Sequence, residues 1–257
     1  MKKIILPAIM ALTLVACRKT SSMEETQSLT VSEQNMSAMG KVTATWCGPC
    51  GSWGFPKFAG YETDYAGKAV FMAFKDNLIP GGRSEDLYSK VGDMFKMDVS
   101  GVPTFWVNFK KGASEATAVA EHNSSPVIVN SNYDLSVSGN KVNLKTTTKF
   151  FKSVEGEYLL APYMIVDGIV APQNGHPDTP NTTHHKFVAD VAKPTTTSTV
   201  KNWGYKIGSG KIKAGHTVTL EFEADRDPSW NASDISFGLI MVKEQGDSLV
   251  FVNAFTK

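Results

Sequence analysis

Apolar residues follow a helical period in the first half of the chain. Phe58, Tyr61 and Tyr65 recur every three or four residues and predict a helix. Residues 69–74 form a short apolar run typical of a buried strand. Ser84 begins a second amphipathic segment, with carboxylates where the first helical turn would lie. Helix and strand patterns in alternation predict an α/β layer.

In the second half, helical spacing gives way to a two-residue alternation. Tyr133 to Val137 alternates apolar and polar side chains, and Gly139 with Asn140 predicts a hairpin turn. Four further segments have strand patterns: 158–170, 218–222, 235–242 and 249–255. Several short strands separated by turn residues predict an all-β sandwich, immunoglobulin- or jelly-roll-like, over residues 125–257.

The N-terminus has the layout of an export signal. Lys2 and Lys3 precede the apolar stretch 4–16, which is shorter than the roughly 20 residues of a spanning helix. Its length and basic flank are typical of a signal peptide ending at Cys17. The polar residues 18–37 are expected to form a flexible tether to the folded part.

Composition narrows the classes of function. The chain has 26 basic and 25 acidic residues, so its charge gives no reason to expect a nucleic-acid partner. It has three cysteines. With Cys17 set aside, Cys47 and Cys50 are too few for a zinc site of four cysteines, or of three cysteines and one histidine. We predict neither a metal nor a cofactor.

Cys47 and Cys50 are three residues apart, in a segment that can begin a helix. Unpaired N–H groups and the helix dipole favour a thiolate at the first cysteine and lower its pKa from about 8.5. The second thiol is then placed to resolve a mixed disulfide. Pro49 suits a first helical turn because it lacks an N–H. A structural disulfide, or half of a metal site with histidines, are the alternatives.

Residues 46–50, Trp-Cys-Gly-Pro-Cys, resemble the active-site motif of the thioredoxin superfamily. Residues 100–104, Ser-Gly-Val-Pro-Thr, resemble the cis-proline loop of the same family. The two motifs occur in the family's order, with a strand and helix pattern between them. The resemblance implies an α/β thioredoxin-like domain over residues 38–124, followed by the sandwich.

The resemblance also implies roles for individual residues. Cys47 would be the nucleophile and Cys50 the resolving thiol. Trp46, Val102 and Pro103 would contact an extended substrate. The implied partners are protein or peptide clients carrying thiols or disulfides, together with a redox partner protein.

The chain departs from the family at one position that matters for chemistry. Lys41 stands six residues before the first cysteine, where thioredoxins usually carry a buried carboxylate. A lysine accepts a proton only if burial depresses its own pKa. We therefore expect Cys50 to be activated less well than in a typical thioredoxin.

The end of the signal segment, Leu-Val-Ala-Cys at residues 14–17, resembles the lipobox of bacterial lipoproteins. That resemblance implies a diacylglyceryl anchor on Cys17. Lipobox, tether, thioredoxin-like part and sandwich together resemble a family of Bacteroidetes outer-membrane lipoproteins. The implied location is the cell envelope, with the chain lipid-anchored in the outer membrane and facing the periplasm or the cell surface.

Chemical signals are few in the second half. His184 and His185 are adjacent, and neighbouring residues on a strand point to opposite faces, so they do not easily share a metal ion. We expect them to lie in a solvated loop.

Two functions follow from the sequence. The first is an envelope thiol–disulfide oxidoreductase acting through Cys47 and Cys50. The alternative is a non-catalytic surface binding or adhesion lipoprotein, in which a thioredoxin-like scaffold carries a structural disulfide.

Overall fold

The computed structural model describes residues 29–76, 78, 84–112, 114–196 and 204–257. The predicted signal peptide 1–17, its Cys17 and the first part of the tether lie outside these residues. Within the described ranges, no helix is both long and apolar enough to cross a membrane.

The secondary structure is mostly β. In chain order the elements are β1 (Ser37–Ala44), a π-helical turn (Cys50–Gly54), α1 (Phe55–Asp64), β2 (Ala69–Asp76), α2 (Ser84–Phe95), β3 (Thr104–Val107), α3 (Glu115–Ser124), β4 (Val129–Ser138), β5 (Lys141–Phe150), β6 (Val154–Glu155), β7 (Tyr158–Val166), β8 (Ile169–Ala171), β9 (Thr182–His184), β10 (Phe187–Val191), β11 (Lys193–Pro194), β12 (Tyr205–Gly208), β13 (Lys211–Ile212), β14 (Thr217–Asp225), a 3-10 helical turn (Ala232–Asp234), β15 (Ile235–Gln245) and β16 (Ser248–Phe255).

Parallel pairing of β1 with β2 forms one end of the larger sheet. Its strand order among the described residues is β16-β15-β7-β10-β2-β1-β3, and β12 pairs with β7. The connection through α1 returns the chain to the same sheet, so β2 runs parallel to β1. β3 runs antiparallel to β1 and lies at the edge of the sheet.

The large sheet contains strands from both sides of the predicted boundary at residue 124. β10 lies beside β2, where Phe187 pairs with Ala73. The Ala73 N–H donates to the Lys186 carbonyl at 2.6 Å. The two halves of the chain therefore share one sheet, and the division at residues 124 and 125 stays a prediction.

A second sheet, with strand order β11-β14-β5-β4, packs over the first. The predicted hairpin at Gly139 is confirmed: β4 pairs antiparallel with β5, and Gly139 has a φ of +58°. Aromatic contacts join the sheets. The rings of Tyr133 and Phe237 lie 6.1 Å apart, and those of Tyr205 and Phe222 lie 5.1 Å apart. The all-β part of the predicted fold class thus fits the structure.

The last residues of the predicted tether lie against the folded part. The Asn35 side chain donates to the Ser125 carbonyl at 2.8 Å. The Met36 N–H donates to Oδ1 of Asn253 at 2.8 Å, and Nδ2 of Asn253 donates to the Val129 carbonyl at 2.8 Å. Asn253 is fully buried, so one amide on β16 fixes the entry of the chain into β1.

Replacing Asn253 with leucine should therefore destabilise the protein. The substitution keeps a similar volume but leaves the Met36 N–H and the Val129 carbonyl buried without partners. Each such group costs about 1–3 kcal/mol, so the free energy of unfolding should fall by roughly 2–6 kcal/mol. Urea unfolding measures the difference. The same substitution at Asn143, exposed on β5, is the control and should change little.

Candidate functional site

Cys47 and Cys50 form a disulfide at the point where β1 leads into the helical segment. Their Cα atoms lie 5.2 Å apart. Cys47 is 4% exposed and Cys50 is fully buried. The Cys50 N–H points at Sγ of Cys47, with the nitrogen 3.1 Å away. An N–H in that position stabilises negative charge on the sulfur when the disulfide is reduced.

The loop before β3 lies against this disulfide. Sγ of Cys47 is 3.7 Å from the Val102 carbonyl oxygen, and the Val102–Pro103 peptide bond is cis. Pro103 also contacts the helical segment at Gly54, where an added Cβ would lie 3.2 Å from the proline ring. The structure thus brings together four of the residues singled out in the sequence: Cys47, Cys50, Val102 and Pro103.

Trp46 is the most exposed part of the site, with 60% of its surface accessible. Its Nε1–H donates to Oδ2 of Asp76 at 3.0 Å. Its carbonyl accepts a hydrogen bond from the Asn174 side chain at 3.0 Å. The indole is therefore held at the rim of the site while much of its surface remains open to solvent.

The second half of the chain supplies a buried amide that the sequence did not reveal. Gln173 is fully buried, and its Nε2 donates to the carbonyls of Ala44 at 3.0 Å and Cys47 at 3.1 Å. Its Oε1 accepts from Nζ of Lys75 at 3.4 Å. Gln173 thus ties the Cys47–Cys50 turn to β2 and to a loop more than 120 residues away in the chain.

Two glycines allow that loop to lie directly on the cysteine motif. A Cβ at Gly51 would overlap the Asn174 carbonyl oxygen. A Cβ at Gly175 would overlap the Gly48 carbonyl oxygen, and Gly175 has a φ of +77°, which side chains rarely adopt. Residues 173–176 are called the covering loop below. The covering loop and the Val102–Pro103 loop both pack against the Cys47–Cys50 turn.

Two lysines are buried beneath the site. Lys41 on β1 and Lys75 on β2 are 4% and 3% exposed. Their Nζ atoms lie 4.3 and 4.5 Å from the centre of the Phe55 ring. Burial lowers the pKa of Lys41 to about 8. Burial and the nearby charge of Lys41 lower the pKa of Lys75 to about 6, so Lys75 is mostly uncharged at neutral pH.

His184 is the partner of Lys75 and corrects our expectation of a solvated loop. It is fully buried, its Nδ1 contacts Nζ of Lys75, and its Nε2 lies 3.1 Å from the Ala171 carbonyl oxygen. Burial and Lys75 lower the pKa of His184 to about 3, so the ring is neutral. A carbonyl only accepts, so Nε2 carries the proton and Nδ1 accepts from Lys75.

His184 and His185 point to opposite sides of the chain, as expected for neighbouring residues on a strand. His185 is exposed, with its ring 3.9 Å from Asp167. The sequence misplaced His184 because the strand containing it is covered by Phe55, whose ring lies 5.4 Å from the imidazole. In the part of the chain that the structure describes, no three His, Cys, Asp or Glu residues are placed to hold a metal ion.

The buried lysines make stability depend on pH in a defined direction. The pKa of Lys75 is about 6 in the folded protein and 10.5 without burial, so the unfolded chain binds the extra proton between these values. The free energy of unfolding should rise with pH in that window, by up to about 1.4 kcal/mol per pH unit for this group. Urea unfolding at pH 6.5, 7.5 and 8.5 measures the slope.

Lys75→Met should flatten that slope, because the titrating amine is gone while the side-chain volume is kept. Lys211→Met, at an exposed lysine on β13, is the control and should keep the wild-type slope. An unchanged slope in Lys75→Met would show that Lys75 is charged in the folded protein.

Comparisons with known proteins give the fold but not the function. No protein-family model matches the chain, and no curated protein matches it. Among solved structures, HBP35 of Porphyromonas gingivalis is similar, with a TM-score of 0.66 and 16% identity over 88% of this chain and 76% of that chain. The chain therefore shares its fold with HBP35 over most of its length.

Two further solved structures match over about half of this chain. One is a domain of the outer membrane lipoprotein Omp28 from Porphyromonas gingivalis, with a TM-score of 0.28 and 10% identity, covering 49% of this chain and 88% of that chain. The other is CsgH from R. palustris, with a TM-score of 0.22 and 13% identity, covering 50% and 91%. Their TM-scores are too low to support an inference about this protein.

Proposed function

We propose that this chain is a lipid-anchored envelope protein whose Cys47–Cys50 pair exchanges disulfides with client proteins. The observation that carries the proposal is the position of the Cys47 sulfur, beside the Val102 carbonyl and at the start of a helical segment. A thioredoxin-like layer is supported by β1 and β2 running parallel, with β3 antiparallel on the other side of β1.

The reduced pair would act in two steps. The Cys47 thiolate attacks one sulfur of a client disulfide, forms a mixed disulfide and releases the other client sulfur as a thiolate. The Cys50 thiolate then attacks Cys47, closes the Cys47–Cys50 disulfide and releases the second client thiolate. Two electrons pass to the client, and a dithiol redox partner returns them by the reverse exchange.

A second buried lysine bears on the departure at Lys41. A buried lysine accepts a proton only in its neutral form, and the pKa of Lys75 is lowered to about 6. Lys75 is connected through Gln173 to the Cys47 carbonyl. In this proposal, neutral Lys75 stands in for the family's carboxylate.

A second candidate is a surface binding lipoprotein with a structural disulfide. The burial of both sulfurs favours it, as does the covering loop packed on the cysteine motif. The similarity to HBP35 supports this candidate better than the first, since it is a likeness of fold and carries no evidence for redox chemistry.

Insulin reduction separates the two candidates. The mature chain with Cys17→Ala should accelerate precipitation of insulin in dithiothreitol, and adding Cys47→Ser should abolish the acceleration. Cys50→Ser should instead accumulate a mixed disulfide with insulin, because the resolving thiol is missing. No acceleration, with a Cys47–Cys50 potential below about −300 mV in redox buffers, would establish the structural disulfide.

Lipid anchoring is tested separately in cells. Wild-type protein should take up labelled palmitate and sediment with membranes, because several acyl chains hold a protein firmly. Cys17→Ser should lose the label and move to the soluble fraction. Cys47→Ser is the matched control and should keep the label. Membrane sedimentation of Cys17→Ser after an alkaline wash would argue against the anchor.

A further inference from the structure

Among the described residues, the outer edge of β3 has backbone groups with no strand beside them. Beyond β3 the chain turns back on itself. The Val107 N–H donates to the Lys110 carbonyl at 3.1 Å, and the Lys110 N–H donates to the Val107 carbonyl at 2.9 Å. Backbone groups alternate sides along an antiparallel strand. The N–H and carbonyl of Phe105 therefore point the same way as those of Val107, away from β1. Within the described part of the sheet, no strand lies on that side of Phe105.

A groove of about 670 Å³ follows this edge and is lined by Pro49, Pro103 and Gly112 among others. Val102 also lines it, and the Val102 carbonyl oxygen lies 3.7 Å from Sγ of Cys47. Trp53, 48% exposed, lies in the groove with its ring 5.9 Å from that of Phe105. An extended segment paired with Phe105 would thus have an aromatic surface on the helix side of the sheet.

The groove is basic. Lys57, Lys110 and Lys111 line it together with Glu115, and Lys111 lies 3.6 Å from the carboxylate of Asp98. Lys57 lies 3.5 Å from Glu115 and 4.9 Å from the centre of the Phe105 ring. All three lysines are exposed, so their charges are available to a ligand and their existing ion pairs are weak.

We propose that the outer edge of β3 binds an acidic, extended segment of a partner protein as an added strand. Its backbone would pair with Phe105, an apolar side chain would pack on Trp53, and its carboxylates would meet the three lysines. The proposal rests on the proposed function in one respect: a segment bound here lies next to Cys47, so the partner is a disulfide client.

The charge of the edge decides between an acidic partner and a second copy of this chain. Lysines on an edge strand oppose edge-to-edge pairing of identical sheets, because each copy brings the same charges. The carboxylates of an acidic segment would instead neutralise the lysine charges, and this attraction favours binding.

Binding is measured without redox chemistry. The probes are fluorescent, cysteine-free octapeptides, one of alternating valine and glutamate and one of alternating valine and lysine. In anisotropy titrations of the oxidised Cys17→Ala chain, the acidic peptide should bind at least about tenfold more tightly. Lys110→Glu with Lys111→Glu should remove that preference. Lys211→Glu with Lys213→Glu, at exposed lysines on and next to β13, is the charge-matched control.

Backbone methylation tests strand addition itself. Acidic peptides N-methylated at every second residue, in either frame, should bind more weakly than the unmodified peptide in at least one frame, because one set of amides pairs with the edge. Unchanged binding in both frames, or equal binding of the basic peptide, would overturn the proposal.

Disulfide-bonded peptides with acidic or basic flanks then test the client. Faster reduction of the peptide with acidic flanks supports the assignment of the partner as a disulfide client. Lys110→Glu with Lys111→Glu should reverse that rate preference. Binding without any rate preference overturns the client assignment. If the protein does not reduce insulin, the proposed function fails, but the peptide-binding result does not depend on that assay. The two failures can therefore be told apart.

Discussion

The Cys47–Cys50 turn depends on the buried amide of Gln173. Buried carbonyls need hydrogen-bond donors. The carbonyls of Ala44 and Cys47 accept backbone hydrogen bonds from the N–H groups of Cys47 and Gly51, and each accepts one further hydrogen bond from a side chain. Gln173 supplies both hydrogen bonds and accepts one from Lys75. A residue of the second half therefore completes the backbone hydrogen bonding of the first. The conformation of the cysteine motif is a property of the whole sheet and not of residues 38–124 alone.

The same constraint explains why two lysines are tolerated in the interior. Lys75 meets Gln173 on one side and a neutral His184 on the other, and it shares the Phe55 ring with Lys41. Two full charges this close in a dry site would repel strongly. Loss of the proton from Lys75 relieves that repulsion, which leaves a single charge on Lys41 over the aromatic rings. The uncharged amine is the form of Lys75 with the lowest free energy in this environment. It is also the form able to accept a proton.

Local pattern predicted many of the elements but not the contacts between them. The alternation around Gly139 predicted the β4–β5 hairpin because register there is set by neighbouring residues. The helix α3 was missed because only Val119 is buried in it, so the segment lacks an apolar period. Gln173 and His184 carry no signal of their own in sequence. Their partners are more than 100 residues away, and only the folded sheet brings them to the motif.

The balance between the two candidate functions is set by opposing effects on one sulfur atom. Burial of Cys47 disfavours its thiolate and stabilises the disulfide, whereas the Cys50 N–H favours the thiolate. Gln173 acts on the same turn by polarising the Cys47 peptide group. The covering loop increases burial, while the groove beside Val102 leaves one approach open. If the proposed exchange with clients takes place along that groove, the groups that line it would decide which proteins the disulfide can meet.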